Sequence, residues 1–262
     1  MYDSYFYRFR RKYTQNRLLS ITVSFSVFIS LYILLNGLVN KFKILSNAWV
    51  YFLMLLLIFI ISVAAYLYLF DFRIKRALIE LEDIIYDYVD PLAFTEYLEA
   101  TINYSKNRKV SPSLWLSYLK GLSYLGDKKK MREILENHGS ILEGNLQIEA
   151  YNFNLLSHYN QKQEFDKYLS NMEKVLKSEK QVKLIKIKGY MLNDEYQRAN
   201  QLLDEVFDED DDLISKVSWH LQKATVLIKM NQKDAARPHI QFVLDNGNTS
   251  YYVSEAKYLN QY

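Results

Sequence analysis

Cysteine is absent from all 262 residues, which removes disulfides, thiolate nucleophiles and thiolate metal sites at once. Glycine and proline are almost as scarce, at seven and three. That excludes a turn-rich β architecture, and neither a glycine-rich phosphate loop nor a nucleophile elbow occurs. The four histidines, His138, His158, His220 and His239, show no His-x-x-x-His spacing and no metalloprotease pattern, so each reads as a structural residue. Residues 208–212 (DEDDD) lack the glycine turn and spaced glutamate of a calcium loop and read as a solvated loop. The expectation is a protein that is not an enzyme, with no catalytic residue, no metal, no cofactor and no small-molecule substrate.

Charge is missing from two long stretches. Residues 18–39 (LLSITVSFSVFISLYILLNGLV) and 48–70 (AWVYFLMLLLIFIISVAAYLYLF) contain no ionisable acid or base other than tyrosine. About 20 apolar residues cross a bilayer core of roughly 30 Å, and neither run has the polar face that a water-soluble helix needs. Both are therefore expected to span a membrane as a hairpin. The first contains Ser20, Thr22, Ser24, Ser26, Ser30 and Asn36, which suit close packing on the second. A cleaved secretory signal is disfavoured, because the first run is too long for a signal core and a second span follows it at once.

What is present then sets the orientation. Arg8, Arg10, Arg11, Lys12 and Arg17 precede the first run, only Lys41 and Lys43 lie between the two, and Arg73, Lys75 and Arg76 follow. The positive-inside tendency puts both flanks, and so both termini, in the cytoplasm. Tyrosines and phenylalanines interleaved with the N-terminal cations suit a lipid headgroup layer, which makes the bilayer itself a partner. The formal charge of the whole chain is +3; residues 1–17 carry +4 and the inter-helix loop +2, leaving −3 on residues 71–262. A mildly acidic remainder argues against nucleic acid as a partner. A lysine- and asparagine-rich, cysteine-free chain points to a low-GC bacterium and its cell membrane.

Residues 71–262 repeat. Apolar side chains recur at three- and four-residue spacing, as in Leu114, Trp115, Tyr118, Leu119 and Leu122, which is the helical period. The breaks LGDKKKM, YNQKQEF, LNDEYQRA and MNQKDAA align on Gly126, Asn160, Asp194 and Asn231, spaced 34, 34 and 37. One register also aligns Met131, Phe165, Ala199 and Ala236; Leu135, Leu169, Leu203 and Ile240; and Leu122, Leu156, Tyr190 and Leu227. The three extra residues fall in the acidic run at 208–212. A weaker unit precedes these, made of helices at 81–89 and 94–104 around Pro91, and a closing helix follows from residue 251. Pro238 is expected to kink the last unit's second helix or to delay its start.

A period of 34 with two helices per unit resembles the tetratricopeptide repeat, over about residues 112–246. Trp115 stands where that family often has tryptophan, and Ala199 and Ala236 match its small-residue column. Met131 and Phe165 depart from that column, Leu119, Phe153 and Ile187 fill a column where glycine or alanine is usual, and the proline that ends each unit is missing, which leaves another helical-hairpin solenoid open. The expected fold is all-α: a two-helix transmembrane hairpin, then a tetratricopeptide-like α-solenoid of four to five helix pairs. The resemblance implies a concave groove lined by Leu116, Lys120, Ser123, Tyr124, Ala150, Asn154, Ser157, His158, Leu184, Lys188, Met191, Leu192, Leu221, Thr225, Ile228 and Lys229. Within it, Lys120, Asn154 and Lys188 form a polar ladder, and the partner-binding candidates are Lys120, Tyr124, Asn154, His158, Lys188, Met191 and Lys229. The implied partner is a protein or peptide with an acidic side chain or a C-terminal carboxylate. The implied function is a membrane-anchored cytoplasmic scaffold; the alternative is an accessory subunit of an integral-membrane transport, secretion or envelope assembly, held through its hairpin.

Overall fold

In the computed structural model the described residues are 2–42, 48–104, 110–142, 176 and 178–261. All regular structure among them is helical. Ten helices run in order: α1 (Asp3–Phe42), α2 (Ala48–Tyr86), α3 (Pro91–Tyr104), α4 (Pro112–Leu125), α5 (Lys128–Leu142), α6 (Glu179–Leu192), α7 (Tyr196–Val206), α8 (Leu213–Lys229), α9 (Lys233–Asn246) and α10 (Tyr251–Leu259). The chain divides into two compact units, Met1–Leu81 and Glu82–Tyr262.

In the first unit α1 and α2 run antiparallel. Lys12 pairs with Glu80 at one end, and at the other the Tyr51 hydroxyl donates to Asn36 Oδ1 at 2.8 Å. Among the described residues two helices are long and apolar enough to cross a membrane, with mean hydropathy 1.9 and 2.7 over their apolar windows. The helices outrun the apolar stretches at both charged flanks. At 1.5 Å per residue, 40 and 39 residues make rods of about 60 Å, twice the thickness of a bilayer core. One boundary changes as a result. The helix expected at 81–89 is not separate, because α2 continues through the charges at 71–83 and stops at Tyr86.

The sides of this hairpin are reversed relative to a water-soluble coiled pair. Ser20 is 1% exposed, and Ser24, Leu35 and Phe9 are buried with it. Their spacings of 11, 4 and 11 keep the four on one face of α1. Phe25 is 63% exposed, and Ile21, Ile33, Leu34, Phe52, Leu53, Leu57, Phe59 and Ile60 are open as well. Ser20 and Ser24 are thus buried beside Phe9 and Leu35, while Thr22, Ser26 and Ser30 are exposed with most of the large hydrocarbon side chains.

The second unit contains residues 82–86 of α2 and helices α3 to α10. Neighbours in sequence pack on one another: α3 on α4, α4 on α5, α6 on α7, α7 on α8, α8 on α9, α9 on α10. Phe94 and Leu98 of α3, Leu114, Leu119 and Leu122 of α4, and Met131 of α5 are fully or almost fully buried. A second core joins Ile187, Ala199, Leu203, Val206 and Val226 across α6, α7 and α8. The α3–α4 approach depends on Gly121, where a Cβ would lie 2.5 Å from Thr95 Oγ1 and 2.9 Å from the Phe94 ring.

The breaks between helices share one geometry. Gly126, Asp194 and Asn231 all take the left-handed conformation, with φ of 80°, 60° and 60°. After each, the next amide reaches back five residues: Asp127 to Leu122, Glu195 to Tyr190 and Gln232 to Leu227, at 3.0, 2.9 and 2.8 Å. Those acceptors are the aligned column before the break. Four residues beyond the new donor, the amides of Met131, Ala199 and Ala236 open the next helix, and all three side chains are 0% exposed. Glycine, aspartate and asparagine are the residues that tolerate φ near +60°, so the sequence column has a steric cause. The fourth aligned break, at Asn160, lies outside the described residues, as do Leu156, Phe165 and Leu169.

Pro238 neither delays nor displaces the last paired helix, since α9 begins in register at Lys233 and contains the proline. The helical bond it removes would end on the Asp234 carbonyl, in an exposed first turn where water can replace it. The acidic run at 208–212 is a loop, but a tethered one. Lys180 of α6 lies 2.7 Å from Asp211 and 3.5 Å from Asp208, and Asp212 caps α8 by accepting from the Ser215 amide at 2.9 Å.

Candidate functional site

The groove residues expected from the repeat register fall into distinct environments. Lys120 is held by its own fold: its ammonium donates to Glu82 Oε2 at 2.7 Å and to the Tyr86 hydroxyl at 2.9 Å. Ser117 donates to the other Glu82 oxygen at 3.2 Å. Burial works against this ammonium, but the charge of Glu82 and the hydrogen bonds that the ammonium donates to Glu82 and Tyr86 outweigh it, so its pKa is raised. Tyr124 meets Tyr252 of α10 edge to face, with ring centroids 6.4 Å apart. Met191 packs against the core shared by α6, α7 and α8. Lys229 is exposed at the end of α8, and Lys188 is half-buried on α6. Asn154 and His158 lie outside the described residues, together with Ala150 and Ser157. The ladder of Lys120, Asn154 and Lys188 is thus described at its two ends, with the first end committed to Glu82.

The approach of the last helix to the first ones was not legible in the repeat. The turn before α10 returns to the loop before α3. Asn248 Nδ2 donates to the Tyr88 carbonyl at 3.0 Å, the Thr249 hydroxyl donates to Asp90 Oδ1 at 2.7 Å, and the Leu92 amide donates to Thr249 Oγ1 at 3.2 Å. Asp90 also caps α3 by accepting from the Ala93 amide at 3.1 Å. Next to this clasp α10 packs on α4 as well as on α8 and α9. Tyr251 lies so close to the left-handed Gly126 that a Cβ there would be 2.8 Å from the Tyr251 Cβ. Among the described helices of this unit, the last therefore closes back onto α4 and the start of α3.

The closure assembles a cluster of cations and phenols. Lys128, at the start of α5, places its ammonium 5.7 Å from the centre of the Tyr251 ring, and the Tyr251 and Tyr252 rings are 4.3 Å apart. Burial lowers the pKa of Lys128. Lys188 is lowered to about 8, first by burial and then by the positive charge of Lys128. Burial, with the neighbouring phenol of Tyr252, raises Tyr251 well above its ordinary value, so it stays protonated at neutral pH. Sequence reasoning singled out Lys188 and Tyr124 here but not Lys128, Tyr251 or Tyr252. The signal was present in LGDKKKM, where three lysines open a helix at the end that a helix dipole makes unfavourable for them.

Two other clusters combine aromatic and titratable side chains. His220 and His239, on α8 and α9, share a hydrogen bond between their Nδ1 atoms at 2.9 Å. His220 also stacks on Phe242 at 3.9 Å. Burial and then His239 lower His220 to about 4, while burial and then Lys223 lower His239. On α3, α4 and α5 a cavity of about 170 Å³ is lined by Trp115, Tyr118, Glu99, Lys130, Glu133 and His138, among others. The Trp115 and His138 rings stack at 4.1 Å, and Lys130 holds Glu99 through both carboxylate oxygens at 2.7 and 2.8 Å. Among the described residues no three histidine or acidic side chains gather as metal ligands. The chain matches no protein-family model, no curated protein and no solved structure.

Proposed function

We propose that this chain is a membrane-anchored scaffold, in which a two-pass hairpin holds a tetratricopeptide-like array of helix pairs at the cytoplasmic face of a bacterial membrane. The array recruits a protein or peptide partner. The observation that carries the reading is the left-handed break repeated at residues 126, 194 and 231 with the same backbone bonds. A chain that reuses one helix–break–helix unit buries its apolar faces by stacking units, and stacked units present an extended recognition surface.

The reversed hairpin supports the anchor. Hydrocarbon side chains facing outward along two long rods are stable in lipid, where small residues at the helix contact favour close approach. The cations flanking each apolar run favour cytoplasmic termini. Anchoring confines the partner search to a surface and raises effective concentration, so a weak groove suffices. Lys188 and the exposed Lys229 favour an acidic side chain or a terminal carboxylate on the partner. The buried positions of Ser20 and Ser24 fit a hairpin that packs on itself, whereas the exposed Thr22, Ser26 and Ser30 are what the alternative of an assembly subunit would use.

The test has two parts. A phosphatase or fluorescent reporter fused after Tyr262 reports the side of the membrane, and an exported C-terminus overturns the topology. The full chain is then purified from its native membranes beside Lys188→Glu and Lys229→Glu variants. Loss of one specific protein from both, with helicity unchanged, supports the scaffold; an unchanged set of partners removes the groove from consideration.

A further inference from the structure

The cavity of about 170 Å³ between α3, α4 and α5 has more chemistry in its walls than packing requires. Its inner side is apolar, made by Ile134 and the ring of Tyr118, both buried, with Ile102 and Trp115 beside them. Its outer side is polar, because Asn103, Glu133 and Asn137 line it and are exposed. His138 stacks on Trp115 at 4.1 Å and holds the indole in place as a wall.

Two features of the lining have no use in the fold itself. The first is the Tyr118 hydroxyl. Its residue is 3% exposed, and the oxygen is buried without a hydrogen-bond partner. Lys130 and Glu99 influence the phenol, but neither completes a hydrogen bond to it, and they satisfy each other at 2.7 and 2.8 Å. Burial raises the pKa of this phenol, so it is neutral at pH 7. A buried hydroxyl left unpaired is costly, and most such groups in folded proteins have a partner. The second feature is charge. Lys130 cancels Glu99, whereas Glu133 has no ion pair among the described residues, so the carboxylates and ammonium of the lining leave one net negative charge.

We propose that this cavity binds a primary alkylammonium group, carried either by a free amine or by a lysine side chain. Glu133 supplies the balancing charge at the mouth. The Tyr118 hydroxyl and the carbonyl oxygens of Asn103 and Asn137 supply neutral acceptors, which suits a group that has three N–H donors and accepts nothing. The rings of Trp115 and Tyr118 attract a cation through their faces and cover its hydrocarbon stem. A cavity of about 150 Å³ is known to admit a benzene ring, so a chain of about four carbons with its ammonium fits here. The site does not rest on the membrane or scaffold reading, since every residue in it belongs to α3, α4 and α5 and none is among the groove candidates.

The test is calorimetric titration of the full chain, in a nonionic detergent at pH 7, with butylammonium, tetramethylammonium, 1-butanol and butyrate as separate probes. Butylammonium is expected to bind saturably and to raise the melting temperature. The other three are expected to be at least tenfold weaker, because each lacks the N–H donors, the charge or its sign. Glu133→Gln should weaken butylammonium at least tenfold and Tyr118→Phe at least threefold, while Glu136→Gln, an exposed neighbour outside the cavity, stays within twofold. Tyr118→Phe keeps the ring and removes only an unpaired hydroxyl, so a purely structural tyrosine would show no change in binding. Circular dichroism verifies that each variant is folded. A lysine derivative blocked at both backbone ends identifies a lysine side chain as the source if it binds at least as tightly as butylammonium, and a free amine if it is weaker. Absence of saturable binding, equal affinity for tetramethylammonium or butanol, or unchanged binding in Glu133→Gln or Tyr118→Phe overturns the proposal. Partner capture is read with other variants, so the cavity and the scaffold fail separately.

Discussion

Substituting alanine at Gly126 separates two contributions that the fold superimposes at that position. The first is conformational. Gly126 sits at φ 80°, and an L-residue in that region costs roughly 1–2 kcal/mol. Asn231, at φ 60°, occupies the equivalent break but already has a Cβ, so Asn231→Ala bounds this contribution from below. The second is steric and exists only if the array closes. The new Cβ would lie 2.8 Å from the Tyr251 Cβ and 3.2 Å from its Cγ. Carbon atoms in contact prefer about 3.5–4.0 Å. Relieving the shortfall requires α10 to back away from α4, and overpacking of this kind costs about 1–3 kcal/mol. Gly126→Ala is therefore expected to destabilise by about 2–5 kcal/mol, and Asn231→Ala by less than about 1. A double-mutant cycle with Tyr251→Gly isolates the difference, because removing both the Cβ and the ring leaves the extra methyl group room. The coupling should be about 1–3 kcal/mol in favour of the double variant. The assay is urea unfolding of the full chain in detergent, followed by far-ultraviolet circular dichroism. Equal losses for the two alanine variants, with coupling below about 0.3 kcal/mol, would falsify the contact between α4 and α10 and the closure with it.

Thr249→Val removes a hydroxyl that both donates to Asp90 and accepts from the Leu92 amide; a loss of about 1–2 kcal/mol is expected, with faster hydrogen exchange at Leu92, and an unchanged Leu92 rate would contradict the clasp. Lys120→Glu places a second carboxylate against Glu82 where the paired side chains are 20% and 13% exposed, so a loss of about 2–4 kcal/mol is expected and Lys120→Met should lose less; equal melting temperatures for the two variants would count against the ion pair. His220 has a folded pKa of about 4 against an ordinary 6.5, so the unfolded chain binds the extra proton between these values. Its contribution is complete above pH 6.5 and is lost as pH falls towards 4; discounted for partial solvent access it amounts to about 1–2 kcal/mol. The urea midpoint of the native chain should therefore drop more between pH 7.5 and pH 5 than that of His220→Phe, and parallel pH profiles would rule the linkage out.

The features readable in the sequence were those with a local cause. Two charge-free runs specify two apolar helices because each residue separately prefers hydrocarbon to water. The columns of Met131, Ala199 and Ala236, and of Gly126, Asp194 and Asn231, were visible because one steric requirement recurs at each break, and burial and backbone geometry agree with that register. What escaped depends on how much each helix pair rotates relative to the one before. That rotation accumulates from small differences in side-chain volume at several contacts, and no single residue encodes it. The return of Thr249 to Asp90 and the facing of Tyr124 by Tyr252 both follow from it. Lys120 shows the same limit at shorter range. Its position on α4 was correctly expected to be helical, yet Glu82 and Tyr86, which hold it, precede it by 38 and 34 residues. The end of α2 was misjudged because charges at 71–83 suggest a boundary, although they are compatible with a helix that has left an apolar environment. His220 and His239 are 19 residues apart, a separation that carries no periodic signal of its own.

The clasp between residues 88–92 and 248–249 also constrains when this molecule can be finished. Synthesis delivers the apolar hairpin first and α3 soon afterwards, but the groups that complete the Asp90 turn are encoded 157 to 160 positions later. Bringing such distant segments together requires closure of a long loop and sets a slow step late in folding. Until Tyr251 has emerged, the side of Gly126 that it covers in the native fold is open. A ribosome paused before that codon therefore displays an unclosed array, and the hydrogen-exchange rate at Leu92 would mark the moment at which the nascent protein becomes the native one.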